Sequence, residues 1–245
     1  MWYIYTKRAD FTALSRKYGI SPVTARIMIN RGIAEADFET FLHGTVQDLP
    51  DPFRMTDMRK ACETIREAIR NGKKIRIAGD YDVDGVCSTY LLVKTLREAG
   101  ADVSWVIPDR VRDGYGINVR MIEEAARDGI GLIVTCDNGI SAAEAAQAAA
   151  DYGMDMVVTD HHEVPEILPA AAAVVDPKRR DDSYPFREIC GGTVAWKLCL
   201  ALESCGWPER ITEETDIVFA AIAFSRTCAC NGKQGSGAYI LPCAV

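Results

Sequence analysis

Apolar and polar positions change rhythm near residue 73. Before it, apolar residues recur at three- and four-residue spacing, the mark of amphipathic helices. Phe11 to Gly19 is a short piece of this kind. Ser21-Pro22 reads as an N-cap with proline at the first helical position; it opens VTARIMINRG, which Gly32 closes. Glu35 to Leu42 is another short helix, and Asp48-Leu49-Pro50-Asp51-Pro52 is a turn-rich connector. Asp57 is placed to cap MRKACETIREAIRNG, with Gly72 as its stop.

After residue 73, short continuous apolar runs alternate with helical patterns. Strands are expected at 74–79, 102–107, 132–136, 155–159 and 172–176. Helices are expected at 86–100, 118–129, 141–153 and 193–206. Strands joined by helical crossovers imply an α/β fold with a parallel sheet, about five-stranded, covered on both faces. The expected division is a helical lead-in at 1–72, a catalytic domain at 73–223 and a distinct tail at 224–245.

Composition narrows the class. The chain has 245 residues, 48% of them hydrophobic and 26% charged, enough for a real core and unlike a disordered chain. No run approaches the roughly 20 apolar residues of a transmembrane helix, so no membrane partner is expected, and MWYIYTKRADF does not read as a signal peptide. Nine Cys, an odd number scattered through apolar runs, read as reduced thiols of a cytoplasmic protein. Residues 1–74 carry 13 Lys+Arg against 9 Asp+Glu, whereas the remainder carries 15 against 26. An acidic body argues against coating nucleic acid by charge alone.

The chemistry lies where the expected strands end, the edge at which open parallel sheets bind ligands. The first strand runs into Asp80-Tyr81-Asp82-Val83-Asp84-Gly85, the second into Asp109-Arg110 and Tyr115. The third runs into Asp137-Asn138-Gly139, the fourth into Asp160-His161-His162, the fifth into Asp176-Pro177-Lys178. Carboxylates gathered on one edge repel one another, and a divalent cation resolves that conflict. An oxygen-rich set with one or two imidazoles favours Mg²⁺ or Mn²⁺. Two such ions suit phosphoryl chemistry. An EF-hand loop starting at Asp80 would need Glu at its twelfth position, which is Leu91. Gly85, Gly139 and Gly192 precede the expected helices, where exposed N–H groups would suit a phosphate.

GDYDVDG, VTCDNG and VTDHH, in this order, resemble the DHH phosphoesterase superfamily. YGISPVTARIMINRGI, FLHGTVQDLPDPFRMTDM, PDRVRDGYGIN and CGGTVAWKL are similar to the bacterial RecJ single-strand-specific exonuclease family, over about residues 15–222. That resemblance implies 5′-to-3′ hydrolysis of single-stranded DNA in repair and recombination, with Mn²⁺ or Mg²⁺ as a pair of ions. It implies Asp82, Asp84, Asp137 and His161 as catalytic metal ligands, with Asp80 beside them. His162 would be a ligand or contact the scissile phosphate. Arg110 and Tyr115 would lie near the DNA path, Gly191 and Gly192 would approach a phosphate, and Asp160 would orient an imidazole such as His161. Partners implied are single-stranded DNA and a repair helicase or single-strand-binding protein.

The resemblance breaks after IVFAAIA (217–223). The family continues with a short acidic motif that completes the metal site. This chain reads FSRTCACNGKQGSGAYILPCAV, and its final 29 residues carry no carboxylate after Asp216. A frameshifted or misassembled end would produce this, as would a divergent tail. A chain cut short there is expected to be weakly active, because in-line placement of the phosphate needs a closed channel. Two other readings stay open. One is a DHH phosphodiesterase of short oligonucleotides or cyclic dinucleotides, with a pyrophosphatase as its weaker version. The other is a non-catalytic nucleic-acid-binding module. The helical lead-in favours the exonuclease family, and the retained acidic motifs speak against the module.

Overall fold

The computed structural model describes residues 7–45 and 48–206. The tail at 224–245 and the run at 217–223 lie outside the described residues. The described chain divides into two compact units, one ending at Pro50 and one beginning at Asp51.

The first unit holds α1 (Phe11–Tyr18), α2 (Pro22–Asn30), a 3₁₀ turn (Glu35–Asp37) and α3 (Phe38–His43). Asp10 caps α1 by accepting the Thr12 and Ala13 N–H groups, and Ser21 caps α2 through the Thr24 N–H with Pro22 behind it. Leu14, Ala25, Met28, Ile33 and Phe38 form its buried core.

The second unit opens with a 3₁₀ turn (Pro52–Arg54) and α4 (Met58–Arg70). There follow β1 (Lys74–Ala78), α5 (Val83–Glu98), β2 (Val103–Val106), α6 (Val119–Arg127) and β3 (Ile130–Cys136). The unit continues with α7 (Ala143–Asp151), β4 (Asp155–Thr159), β5 (Ala173–Val175) and α8 (Gly191–Ser204). The fold is α/β: a five-stranded sheet in the order β2-β1-β3-β4-β5, with every neighbour pair parallel. α8 packs against both α4 and α5, all three lie on the sheet, and α6 pairs with α7. Leu132, Ile133 and Val134 of β3 and Val157 and Val158 of β4 are at most 1% exposed, as successive residues of strands covered on both faces must be. From β1 the chain steps outward to β2, then crosses back to β3 on the other side. That reversal opens a crevice beyond the ends of β1 and β3.

Three local features differ from the sequence expectation. α4, placed with the lead-in, belongs to the second compact unit: its buried face of Met58, Ala61, Cys62, Ile65 and Ala68 packs on β5 and α8. Asp57 does not cap it. Its backbone is left-handed, at φ +63°, and its carboxylate takes the Val174 N–H at 3.2 Å and the Arg179 guanidinium at 2.8 Å. α5 begins at Val83, three residues before the expected Val86, because Asp82 caps it by accepting the Gly85 N–H. No helix among the described residues is long and apolar enough to cross a membrane.

Candidate metal centre

β1 delivers the first carboxylates. Asp80 lies just beyond the end of the strand, after Gly79, and is buried, and its Oδ1 has no hydrogen bond among the described residues. Asp82 is exposed at the cap of α5. Gly85 lets the helix start this close to the strand: a Cβ there would stand 2.5 Å from the Asp80 carbonyl oxygen. Asp84 points inward from the first turn and is buried. Its carboxylate accepts the N–H groups of Gly191 and Gly192 at the start of α8.

β3 delivers Asp137, the centre of the cluster. It is 1% exposed and left-handed at φ +62°. Asn138 fixes this corner. Its amide donates to the Ala78 and Cys136 carbonyls at 3.0 Å each, and its Oδ1 accepts the Ile117 N–H. One side chain thereby joins the ends of β1 and β3 to the loop that carries Tyr115.

β4 delivers the imidazoles. His161 Nε2 stands 3.0 Å from Asp137 Oδ1 and 3.7 Å from Asp84 Oδ2. Asp137 Oδ1 nonetheless makes no hydrogen bond among the described residues. His162 Nδ1 meets Asp160 Oδ1 at 2.7 Å, which leaves Nε2 to act as an acceptor. Tyr115 donates to the Asp137 carbonyl at 3.0 Å and lies 3.1–3.2 Å from both ring nitrogens of His162.

The electrostatics are those of an uncompensated anion cluster. Burial pushes the Asp137 carboxyl well above the usual carboxylate range, with Asp84 and Asp82 adding repulsion. Burial likewise raises Asp80 and Asp84 and lifts Asp176 to about 7. Asp160 goes the other way. Burial opposes its charge, but the bond to His162 and the N–H groups of Ile140 and His161 hold its carboxyl below the ordinary value. The same bond raises His162. Burial first, then the surrounding carboxylates, keep the Tyr115 phenol protonated.

Two donor sets converge here. Asp80, Asp82 and Asp137 offer atoms within 4.8 Å of one another, and so do Asp137, His161 and His162. Asp137 belongs to both. Bare oxygens on Asp80 and Asp137, pressed against neighbouring carboxylates and an imidazole, fit one or more divalent cations of the Mg²⁺ or Mn²⁺ kind.

Other residues named from the sequence are placed differently. Asp84 lies at the cluster with its oxygens on the α8 N–H groups. Gly191 and Gly192 face that carboxylate, so their N–H groups are not open to a phosphate. The Gly85 N–H is likewise spent on Asp82. Gly139 sits four residues before α7 begins, away from the helix terminus. Asp160 orients His162; to His161 it offers only a bond with the backbone N–H. Arg110 lies over the Tyr81 ring at 5.3 Å, outside both donor sets. The sequence placed Asn138 and Asp176 at this edge without a specific role; Asn138 proves to brace the corner, and Asp176 is fully buried at the end of β5 with an Oδ2 that has no hydrogen bond among the described residues.

The chain is similar to known proteins over most of its length. The DHH family, N-terminal domain, matches residues 74–222. The chain is 41% identical over 191 residues to the single-stranded-DNA-specific exonuclease RecJ of Bacillus subtilis (strain 168), covering 78% of this chain and 24% of that protein. It is 35% identical over 186 residues to that of Escherichia coli (strain K12), covering 76% and 32%. It thus spans about a quarter to a third of the length of these relatives. RecJ from Thermus thermophilus in complex with Mn²⁺ superposes with a TM-score of 0.70 at 27% identity, over 89% of this chain and 31% of that one. Exonuclease RecJ bound to manganese superposes with 0.62 at 33% identity, over 68% and 42%. The chain belongs to the DHH family.

Proposed function

We propose that this chain carries the metal-binding core of a phosphodiesterase that degrades single-stranded DNA with Mn²⁺ or Mg²⁺. The observation that carries this reading is Asp137, buried, bare at Oδ1 and common to both donor sets. Similarity to RecJ exonucleases, two of them solved with manganese, supports the substrate and the ion.

Asp80, Asp82, Asp137 and His161 would hold the ions, with Asp84 adding negative charge beside them. Bound divalent cations would supply an activated water and would neutralise charge growing on the phosphoryl oxygens. The remaining residues orient and position. Asp160 fixes the tautomer of His162, which is then presented to the cluster. The Tyr115 hydroxyl, kept protonated, donates to the Asp137 carbonyl and so holds its loop against the cluster. Arg110, beside Tyr81 at the mouth of the site, would meet the incoming strand. Digestion from the 5′ end, and work alongside a helicase or a single-strand-binding protein, belong to the same proposal.

The test is release of label from 5′-labelled single-stranded DNA. The expected result is Mn²⁺-dependent hydrolysis that the Asp137→Asn variant lacks, faster on long strands than on cyclic dinucleotides. Equal rates in the variant, or no hydrolysis at any Mn²⁺ concentration, would overturn the reading.

A further inference from the structure

Both donor sets lie in the second compact unit, and the first unit has a chemistry of its own. Its first two helices are joined by only three residues, Gly19-Ile20-Ser21. Gly19 is left-handed at φ +65°, which ends α1 and turns the chain. Ser15 Oγ fastens the turn by donating to the Ile20 carbonyl at 2.6 Å. Leu14 of α1 and Ala25 and Met28 of α2 are buried together, with Tyr18 and Ile20 packed against them. Two short helices locked across a glycine-containing turn of three or four residues are the frame of a helix–turn–helix.

The outer face of α2 is uncovered. Val23 is 66% exposed, Ile27 48%, and Arg26 is exposed beside them. Their spacing puts all three on one face of the helix. Arg26 is held there by the Phe11 ring, 4.5 Å from its guanidinium. Charge says what this face meets. From Phe11 to Ala34 the chain carries Arg16, Lys17, Arg26 and Arg31 and no carboxylate. Lys17 is paired with Glu35 at 2.7 Å, whereas Arg16 and Arg31 are exposed. Lys7 adds a cation at the far end of α2. Its N–H donates to Asn30 Oδ1, and its ammonium lies 3.2 Å from where a Gly32 Cβ would stand. Cations set around a projecting helix suit a phosphate backbone. The major groove of a duplex, about 12 Å wide, admits a helix, and there Val23 and Ile27 would meet thymine methyl groups. A single strand is instead gripped by aromatic platforms, and α2 carries no aromatic residue.

We propose that α1 and α2 form a helix–turn–helix that binds duplex DNA, with the Val23, Arg26 and Ile27 face of α2 in the major groove and Arg16 and Arg31 toward phosphates. This site lies in a different unit from the metal centre and does not rest on the hydrolysis proposed above.

Fluorescence anisotropy of the full chain with a labelled, blunt-ended duplex of about two helical turns tests this. EDTA in the buffer keeps the metal centre silent. The expected result is saturable binding that weakens as salt rises. Arg26→Ala/Arg31→Ala should bind at least about 10-fold more weakly, with a salt slope shallower by about 2. Val23→Asp should lose binding and keep the fold, because a carboxylate suits the first turn of a helix but opposes DNA. Lys60→Ala, which removes an exposed cation of α4, should bind as the parent does. No duplex binding at about 50 mM salt would overturn the proposal. So would equal binding by the parent and both α2 variants, or a preference for single strands over the duplex.

Discussion

Asp137 holds a left-handed backbone at φ +62°, which glycine, asparagine and aspartate accept at least cost. Asparagine is therefore the substitution that keeps the corner and removes the charge. Asp137→Asn relieves repulsion among buried carboxylates, so the metal-free variant should be more stable than the parent by about 1 kcal/mol in urea unfolding. An unchanged or lower midpoint would show that the carboxylates are not in conflict. Gly191 presents the reverse case. A Cβ there would stand 2.3 Å from Asp137 Oδ1, so Gly191→Ala must push the carboxylate aside. Manganese affinity should fall by about 10-fold or more, on the scale of losses from groups that orient ligands. Removal of the charge that orients His162, in Asp160→Asn, should lower Mn²⁺ affinity by about 10–100-fold in isothermal titration. The acidic and histidine positions were legible in the sequence because each directly follows an apolar run. Their pairing was not. Which imidazole Asp160 takes depends on how His161 turns toward Asp137, a contact from a neighbouring strand.

At the scale of elements, periodicity located five strands and the helices between them, because each buries one face or both. Helix starts were harder. α5 and α8 begin two or three residues early: α5 starts at its own cap, Asp82, and α8 at a glycine pair whose N–H groups meet the distant Asp84 carboxylate. Nothing in Gly191-Gly192 announces Asp84, 107 residues away, as its acceptor. α8 also carries Lys197, 2% exposed, whose ammonium burial lowers from 10.5 to about 8 against the opposing pull of Asp51. Below pH 8 the lysine is charged in both states, and the folded state bears the whole penalty. Above 10.5 it is neutral in both and the penalty vanishes. Stability linked to this lysine therefore rises between pH 8 and 10.5, by roughly 3 kcal/mol at most. Unfolding of the wild type and Lys197→Met at pH 7.5 and 10 should show the wild type gaining on the variant at the higher pH. A constant gap would place the ammonium in a solvated setting.

At the scale of the molecule, the compact unit that bears the site starts at Asp51, not at the change of rhythm near residue 73. The reason is tertiary: α4 has the periodicity of any surface helix, and only its burial on β5 and α8 assigns it. Asp57 and Arg179 tie its entrance to the end of β5, with Asp181 on the other side of the guanidinium. The fold concentrates Asp80, Asp84, Asp137 and Asp176, all buried and all raised, at one edge of the sheet. A cation that binds only the folded chain should stabilise it, by about 2.7 kcal/mol at a hundredfold excess over the dissociation constant. The central claim is that this edge is a divalent-metal centre built around Asp137. Isothermal titration with Mn²⁺ at neutral pH, on the full chain and on Asp137→Asn, tests it most directly. The account predicts saturable binding in the parent and its loss in the variant. No binding in the parent, or equal binding in both, would contradict it.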